Sequence, residues 1–110
     1  MDELTNKDRI IFIAQKLWGW EHKNLPSITV FYKDSQLVGK RNGIFQPDIK
    51  SEDRDMLVDA MLDNGWIRGV TEIETDEHYV RFSQRGYEYE GFATTRGEAV
   101  IKAAYRALNE

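Results

Sequence analysis

The chain has 110 residues, 41% of them hydrophobic and 31% charged, a composition that is typical of a globular domain and excludes a disordered chain. It contains no cysteine, which excludes disulfides and thiolate sites, and its net charge of −4 disfavours binding to nucleic acid. No apolar run approaches the roughly 18 residues of a membrane span, and residues 1–9 lack the basic region and apolar stretch that are typical of a signal peptide. We therefore expect a single domain over residues 1–110, in the cytoplasm, with no membrane association.

The N-terminal third predicts a helix followed by a short hairpin. Thr5 and Asp8 have the spacing of a helix cap, and Gly19 ends the helical pattern. The apolar residues of this helix are Ile10, Ile11, Ala14, Leu17 and Trp18. Residues 20–26 are predicted to form a connection, because Pro26 disfavours helical continuation. The hairpin strands are predicted at 28–32 and 36–39, with a turn at 33–35.

The middle of the chain predicts a loop and a second helix. Ile44 and Phe45 are expected to anchor the loop at 40–50. The helix starts at Ser51 and is expected to stop at Asn64-Gly65. Its apolar stripe is Met56, Leu57, Ala60 and Met61.

The C-terminal half predicts three consecutive strands and a third helix. The strands are expected at 66–75, 78–84 and 87–94, joined by turns at 76–77 and 85–86. Thr95 to Glu98 has the capping-box pattern of a helix start. The stripe of the last helix is mostly small: Val100, Ala103, Ala104, Ala107 and Leu108. Such a stripe lets the helix backbone approach the sheet closely.

These elements predict an α+β fold in the order α-β-β-α-β-β-β-α. Its antiparallel sheet consists of the three-strand meander plus the short hairpin, packed with three helices. In the first meander strand Trp66 and Val70 lie on one face, and Ile67 and Ile73 on the other. We therefore expect both faces of the sheet to be partly covered.

Several short segments together resemble the phage ABA-sandwich domain. They are Trp18-Gly19-Trp20, Phe45-Gln46-Pro47, Asn64-Gly65-Trp66, the aromatic meander, and Thr94 to Val100 with its alanine-rich helix. The resemblance implies a small protein of a phage or prophage, from a family whose biochemical role is unassigned. It further implies an accessory protein that handles host machinery or host defence.

No catalytic, metal-binding or cofactor-binding motif occurs in the sequence, so we expect no catalytic residue, no metal and no cofactor. His22 and His78 are isolated and have no ligand spacing around them. No glycine-rich phosphate loop or nucleophile motif is present. The meander also contains carboxylates and arginines that permit cross-strand ion pairs: Glu72, Glu74, Glu88, Glu90, Arg68, Arg81 and Arg85. The alternative is that a pair of these carboxylates serves as general acid and base.

Two groups of side chains are candidates for binding a protein partner. Asp55, Asp59 and Asp63 recur every four residues, so they share one helix face that either meets a basic partner or is simply solvated. The tyrosines of the meander, Tyr79, Tyr87 and Tyr89, either form an interface or fill the core. A protein surface would place Tyr87, Tyr89 and the aspartate stripe together on one flat area.

The sequence thus predicts a non-enzymatic binding module, with a host protein as partner and inhibition of host defence as its role. The alternative is a protein that sequesters a small nucleotide-like ligand in a concavity lined by Arg81 or Arg85 and a stacking tyrosine. The basic turn Arg41-Asn42-Gly43, preceded by Lys40, is a weak phosphate-contact candidate. An uncharacterised hydrolase is the third interpretation. The sequence does not decide between a monomer and a homo-oligomer.

Overall fold

The computed structural model describes residues 5–39, 42–74 and 77–109, with the backbone alone at 70–74. These residues form three helices and two three-stranded antiparallel sheets, an α+β fold as predicted. The helices are α1 (Asn6–Trp18), α2 (Ser51–Asp63) and α3 (Arg96–Leu108). The first sheet contains β1 (Glu21–Asn24), β2 (Thr29–Lys33) and β3 (Gln36–Leu37). The second contains β4 (Ile67–Glu74), β5 (Glu77–Gln84) and β6 (Tyr87–Ala93).

The predicted connection at 20–26 contains a strand that the sequence pattern did not indicate. β1 pairs antiparallel with β2, from Glu21 opposite Tyr32 to Asn24 opposite Thr29. All four β1 residues are polar and exposed. The segment therefore lacks the alternation of apolar and polar side chains that predicts a strand. Pairing with β2 defines this strand, and the Thr29 hydroxyl also donates to Asn24 Oδ1 at 2.8 Å. The order is therefore α-β-β-β-α-β-β-β-α.

The predicted helix ends are largely present. Thr5 and Asp8 form a complete capping box on α1, and Gly19 ends the helix in the left-handed conformation. Gly65, with φ of 90°, ends α2, where the N–H of Trp66 donates to the Met61 carbonyl as in a Schellman motif.

The start of α3 differs in one detail from the predicted capping box. The Thr95 hydroxyl accepts the N–H of Glu98 at 3.2 Å. The Glu98 carboxylate, by contrast, lies 3.7 Å from Lys102 Nζ. It therefore supports the helix through an i,i+4 pair.

Two tight turns set the strand registers. Asp34-Ser35 joins β2 to β3 and Arg85-Gly86 joins β5 to β6, and all four residues have positive φ. This is the type I′ geometry that matches the twist of antiparallel strands. The other predicted turn, at 76–77, includes Asp76, and Asp76 and Thr75 lie outside the described residues, as do Lys40 and Arg41.

Helix α3 lies at the centre of the fold. It packs on β5 and β6, and α1 and α2 also contact it. The backbones of α3 and β6 lie close together at Gly91, where an added Cβ would lie 2.3 Å from the Ala99 carbonyl oxygen. The small stripe of α3 is buried as predicted: Ala103, Ala104 and Ala107 are at most 2% exposed.

Four aromatic side chains join the first sheet to the helices. Trp18 and Trp20 stack with ring centroids 4.5 Å apart, and Phe45 meets both rings edge-on. Phe31 of β2 packs against Trp20 and Phe45. We call Trp18, Trp20, Phe31 and Phe45 the aromatic cluster. Phe45 thus anchors the 40–50 loop, as its sequence context indicates.

The second sheet is covered by helices on one face. Val80 and Phe82 of β5 are fully buried on the helix side, whereas Tyr79 and Arg81 alternate onto the other side. Ile67, on that other side, is 68% exposed, so the expected cover of both faces is not found there. The Ile73 side chain lies outside the described part of the chain.

None of the helices in the described ranges has the length and apolar character that crossing a bilayer requires.

Candidate functional site

The three aspartates of α2 lie on its solvent side. Asp55, Asp59 and Asp63 are all exposed, as the four-residue spacing predicts. Asp55 differs from the other two aspartates, because it also lines a cleft that contains three arginines and is described below. A fourth carboxylate of this helix, Asp53, is fully buried and accepts the backbone N–H of Gln46 at 2.7 Å. Asp53 therefore joins the preceding loop to α2.

The three candidate tyrosines do not share one surface. Tyr87 and Tyr89 alternate onto the helix side of β6. Tyr87 is 64% exposed there, but Tyr89 packs edge-on against Trp66 with centroids 5.8 Å apart and contacts the core. Tyr79 lies on the opposite side of the sheet. The structure therefore leaves Tyr87 as the exposed tyrosine of the pair on the helix side.

Tyr79 takes part in a polar and aromatic arrangement that the sequence pattern did not indicate. Its hydroxyl donates a hydrogen bond to Glu90, and its ring packs on Phe92 with centroids 4.9 Å apart. The hydrogen bond to Glu90 raises the pKa of Tyr79, with smaller contributions from burial and from the Glu90 charge. The strand register predicts both contacts of Tyr79. Phe92 lies directly opposite Tyr79, and Glu90 is the neighbouring residue of β6 on the same face of the sheet.

The arginines of the ligand hypothesis lie away from both clefts described below. Arg81 is on the same side as Tyr79 and lies 3.8 Å from Glu88, an exposed pair of the cross-strand kind predicted for the meander. Arg85 is exposed in the β5–β6 turn. The side chains of Glu72 and Glu74, assigned to similar pairs, lie outside the described part.

The uncovered side of the second sheet is a mixed apolar and charged surface. Phe92 is 45% exposed and Ile67 is 68% exposed, and charged side chains lie between them. We call this surface the outer face; its residues are Ile67, Tyr79, Arg81, Glu88, Glu90 and Phe92.

Two clefts are lined partly by residues of the helices, and the sequence predicts neither of them. One, of about 240 Å³, lies between α1, residues 25–29 and residues 45–48. The other, of about 150 Å³, is lined by Arg54, Arg68 and Arg96. These arginines come from three elements far apart in the chain, so no local motif could have indicated their convergence.

Within the described residues, no group of three histidine, aspartate or glutamate side chains is arranged to hold a metal ion. His22 is exposed in β1, and His78 is half-buried in β5.

The fold is similar to that of a phage protein from Bacillus cereus ATCC 14579, known from a 2.0 Å crystal structure. The TM-score is 0.69 and the sequence identity 19%, and the match covers 100% of this chain and 93% of the other. At this identity the similarity establishes the fold. No protein-family model matches the chain, and no curated protein matches its sequence.

Proposed function

We propose that this chain is a non-enzymatic binding module, encoded by a phage or prophage, that binds a host protein in the bacterial cytoplasm and inhibits host defence. Two observations support the phage setting. The fold resembles that of a phage protein over the whole chain. The helix-end and anchor segments resemble the phage ABA-sandwich domain, the family to which we propose the chain belongs.

The outer face is the observation that favours protein binding. The helices pack on one side of the second sheet and leave the other side bare, with Phe92 and Ile67 exposed. The aromatic side chains Phe92 and Tyr79 lie side by side on this face, and aromatic residues are enriched at protein interfaces. The Tyr79 ring is already held by Phe92 and Glu90, so binding would cost little side-chain entropy.

The aspartate stripe and Tyr87 are weaker candidates for the same role. They are exposed, but no apolar partner accompanies the aspartates beyond Leu62, which is 44% exposed on the same helix. A solvated helix face explains such a stripe without a ligand. The outer face therefore ranks first, and Tyr87 and Asp59 serve as comparisons in its test.

The test uses exposed aromatic side chains on the two sides of strand β6. The tagged full chain is purified gently from a bacterial host lysate and examined by native mass spectrometry. We expect a host protein in stoichiometric complex with the wild type and with Tyr87→Ser. We expect Phe92→Ser to lose it, because Phe92 is the exposed aromatic side chain that β6 contributes to the outer face.

A bare chain or homo-oligomer from every lysate would contradict the binding module itself. Two other outcomes would contradict the outer face as its binding surface: a complex that survives both Phe92→Ser and Ile67→Thr, and a complex lost on Tyr87→Ser or Asp59→Asn but kept in Phe92→Ser. Circular dichroism of each variant establishes that the loss of binding is not a loss of fold.

A further inference from the structure

A second surface, on the helix side of the second sheet, concentrates positive charge. Three arginines line the cleft of about 150 Å³: Arg54 from α2, Arg68 from β4 and Arg96 from α3. Asp55 is the carboxylate among its lining residues. Positive charge therefore exceeds negative charge among these lining residues, although the chain has a net charge of −4. We call this concavity the arginine cleft.

The floor of the arginine cleft is apolar. It consists of Val58, Val80 and Val100, which are at most 4% exposed. Of the three arginines, Arg54 is half-buried and Arg68 and Arg96 are exposed, so their attraction for an anion depends on the salt concentration.

The wall of the arginine cleft is built before any ligand arrives. Arg54 donates from Nε to the Pro47 carbonyl at 3.1 Å and from Nη2 to the Asp48 carbonyl at 3.5 Å. Gly97 in the first turn of α3 abuts the same segment, since an added Cβ would lie 2.2 Å from the Asp48 carbonyl oxygen. Both helices are thus tied to one loop, which fixes their relative position and reduces the entropy lost on binding.

The size of the arginine cleft limits what it can hold. A volume of about 150 Å³ is below the roughly 300–1,000 Å³ of sites that enclose a drug-sized ligand. A single phosphate group fits this space, and a whole nucleotide does not.

We propose that the arginine cleft binds the phosphate group of a small phosphomonoester, whose remaining atoms lie outside the cleft. Guanidinium groups match phosphate oxygens with paired, charge-assisted hydrogen bonds. The Ser51 hydroxyl lines the same space and supplies a further donor. The positive ends of α2 and α3, which begin at Ser51 and Arg96, add to the attraction.

This site is independent of the outer face. Arg68 lies opposite Phe82, a buried residue on the helix side of the sheet, whereas Phe92 and Ile67 are on the other side. The two proposals can therefore fail separately.

The test is calorimetric titration of the full chain with AMP, inorganic phosphate and adenosine. We expect AMP to bind with a Kd of about 1 mM or tighter and adenosine not to bind. Equal binding of inorganic phosphate would assign recognition to the phosphate alone, whereas tighter binding of AMP would add a nucleoside contact outside the cleft. Binding should weaken as salt is added.

Arg68→Gln and Arg85→Asn are the matched variants. Each removes one exposed guanidinium, but only Arg68 lines the arginine cleft. We expect Arg68→Gln to weaken AMP binding at least about tenfold, the effect of one lost charge-assisted hydrogen bond, and Arg85→Asn to leave it unchanged. Arg54 is not substituted in this test, because its loss would also remove the hydrogen bonds to the carbonyls of residues 47 and 48.

The proposal is overturned if adenosine binds as well as AMP, if a folded Arg68→Gln variant keeps full affinity, or if Arg85→Asn loses as much. A phosphoserine peptide that binds more tightly than AMP would also overturn it, since the ligand would then be a protein. Amide NMR spectra of both variants report whether the fold is kept.

Discussion

At the scale of single residues, Gly91 determines how closely the second sheet and α3 approach. A Cβ at this position would lie 2.3 Å from the Ala99 carbonyl oxygen and 2.6 Å from the Ala103 nitrogen. Both contacts are with backbone, which cannot turn aside as a flexible side chain can. The absence of a side chain at Gly91 is therefore a packing requirement.

We expect Gly91→Ala to lower the free energy of unfolding by about 3 kcal/mol, through overpacking. Gly86→Ala is the control, because Gly86 has φ of 86° but nothing near its Cβ position. It should cost about 1 kcal/mol, the penalty of a left-handed backbone. Urea unfolding of the two variants measures both losses. Equal losses would mean that the sheet moves away from α3 at little cost.

A second residue-scale prediction concerns the hydrogen bond between Tyr79 and Glu90. This bond is the main cause of a Tyr79 pKa above the ordinary value of 10.0. Its stabilising contribution is complete below pH 10.0, the value of an unperturbed tyrosine, and is lost as the pH rises through the higher folded-state pKa. The effect therefore appears only in alkaline solution.

We expect Glu90→Gln to bring the Tyr79 pKa down towards its ordinary value, because the carboxylate acceptor and its charge are removed. A ¹³Cζ NMR titration of the tyrosines follows Tyr79 directly, with Glu88→Gln as the control. An unchanged Tyr79 titration in Glu90→Gln would show that burial, and not the hydrogen bond, raises this pKa.

At the scale of elements, the first sheet depends on the aromatic cluster for its attachment. Its strands are short, and β1 exposes all of its side chains. Phe31 is the buried residue of β2, and it packs on Trp20 and Phe45. A small sheet of this kind is not stable without packing against other elements.

We expect Phe45→Ala to cost about 3–5 kcal/mol, the usual loss for a buried aromatic side chain. The loss should be local at first: amides of β1 and β2 should lose hydrogen-exchange protection before those of β5. Ile49→Ala is the control, since Ile49 is 63% exposed. Simultaneous loss of protection in both sheets would show that they unfold as one cooperative unit.

At the scale of the whole molecule, one edge of the second sheet is closed by side chains of α3. β6 is an edge strand, and its carbonyls at Glu90 and Phe92 accept hydrogen bonds from Arg106 and Lys102. Positive side chains over a strand edge hinder pairing with another chain.

We expect the double substitution Lys102→Ala and Arg106→Ala to open this edge and produce concentration-dependent self-association. Light scattering after size-exclusion chromatography measures the molar mass at several concentrations. Lys16→Ala with Arg9→Ala, two changes on α1, is the control for lost charge. If the edge variant has the same mass as the wild type at every concentration, β6 is blocked by something other than these two side chains.

The amino-acid sequence predicts helices and turns well, because their signals are local. The Thr5 cap, the stop at Gly65 and the turn at Arg85-Gly86 each depend on residues close together in the chain. β1 was missed because its exposed residues have no periodicity, and its only determinant is pairing with β2.

The candidate sites were predicted less well, because they depend on which residues meet across elements. Tyr87 and Tyr89 were placed on the same side of β6, but alternation does not reveal that Trp66 covers Tyr89. The arginine cleft joins residues 54, 68 and 96, which no spacing rule connects.

By itself, the sequence determined the α+β class, the three helices, the meander and the small stripe of α3, since local propensity and hydrophobic period encode each of them. Only the tertiary structure decided that the meander and the hairpin form separate sheets, which face of the meander stays bare, and where three arginines converge. These features depend on the packing of elements distant in sequence, and burial at such contacts is a property of the assembled fold.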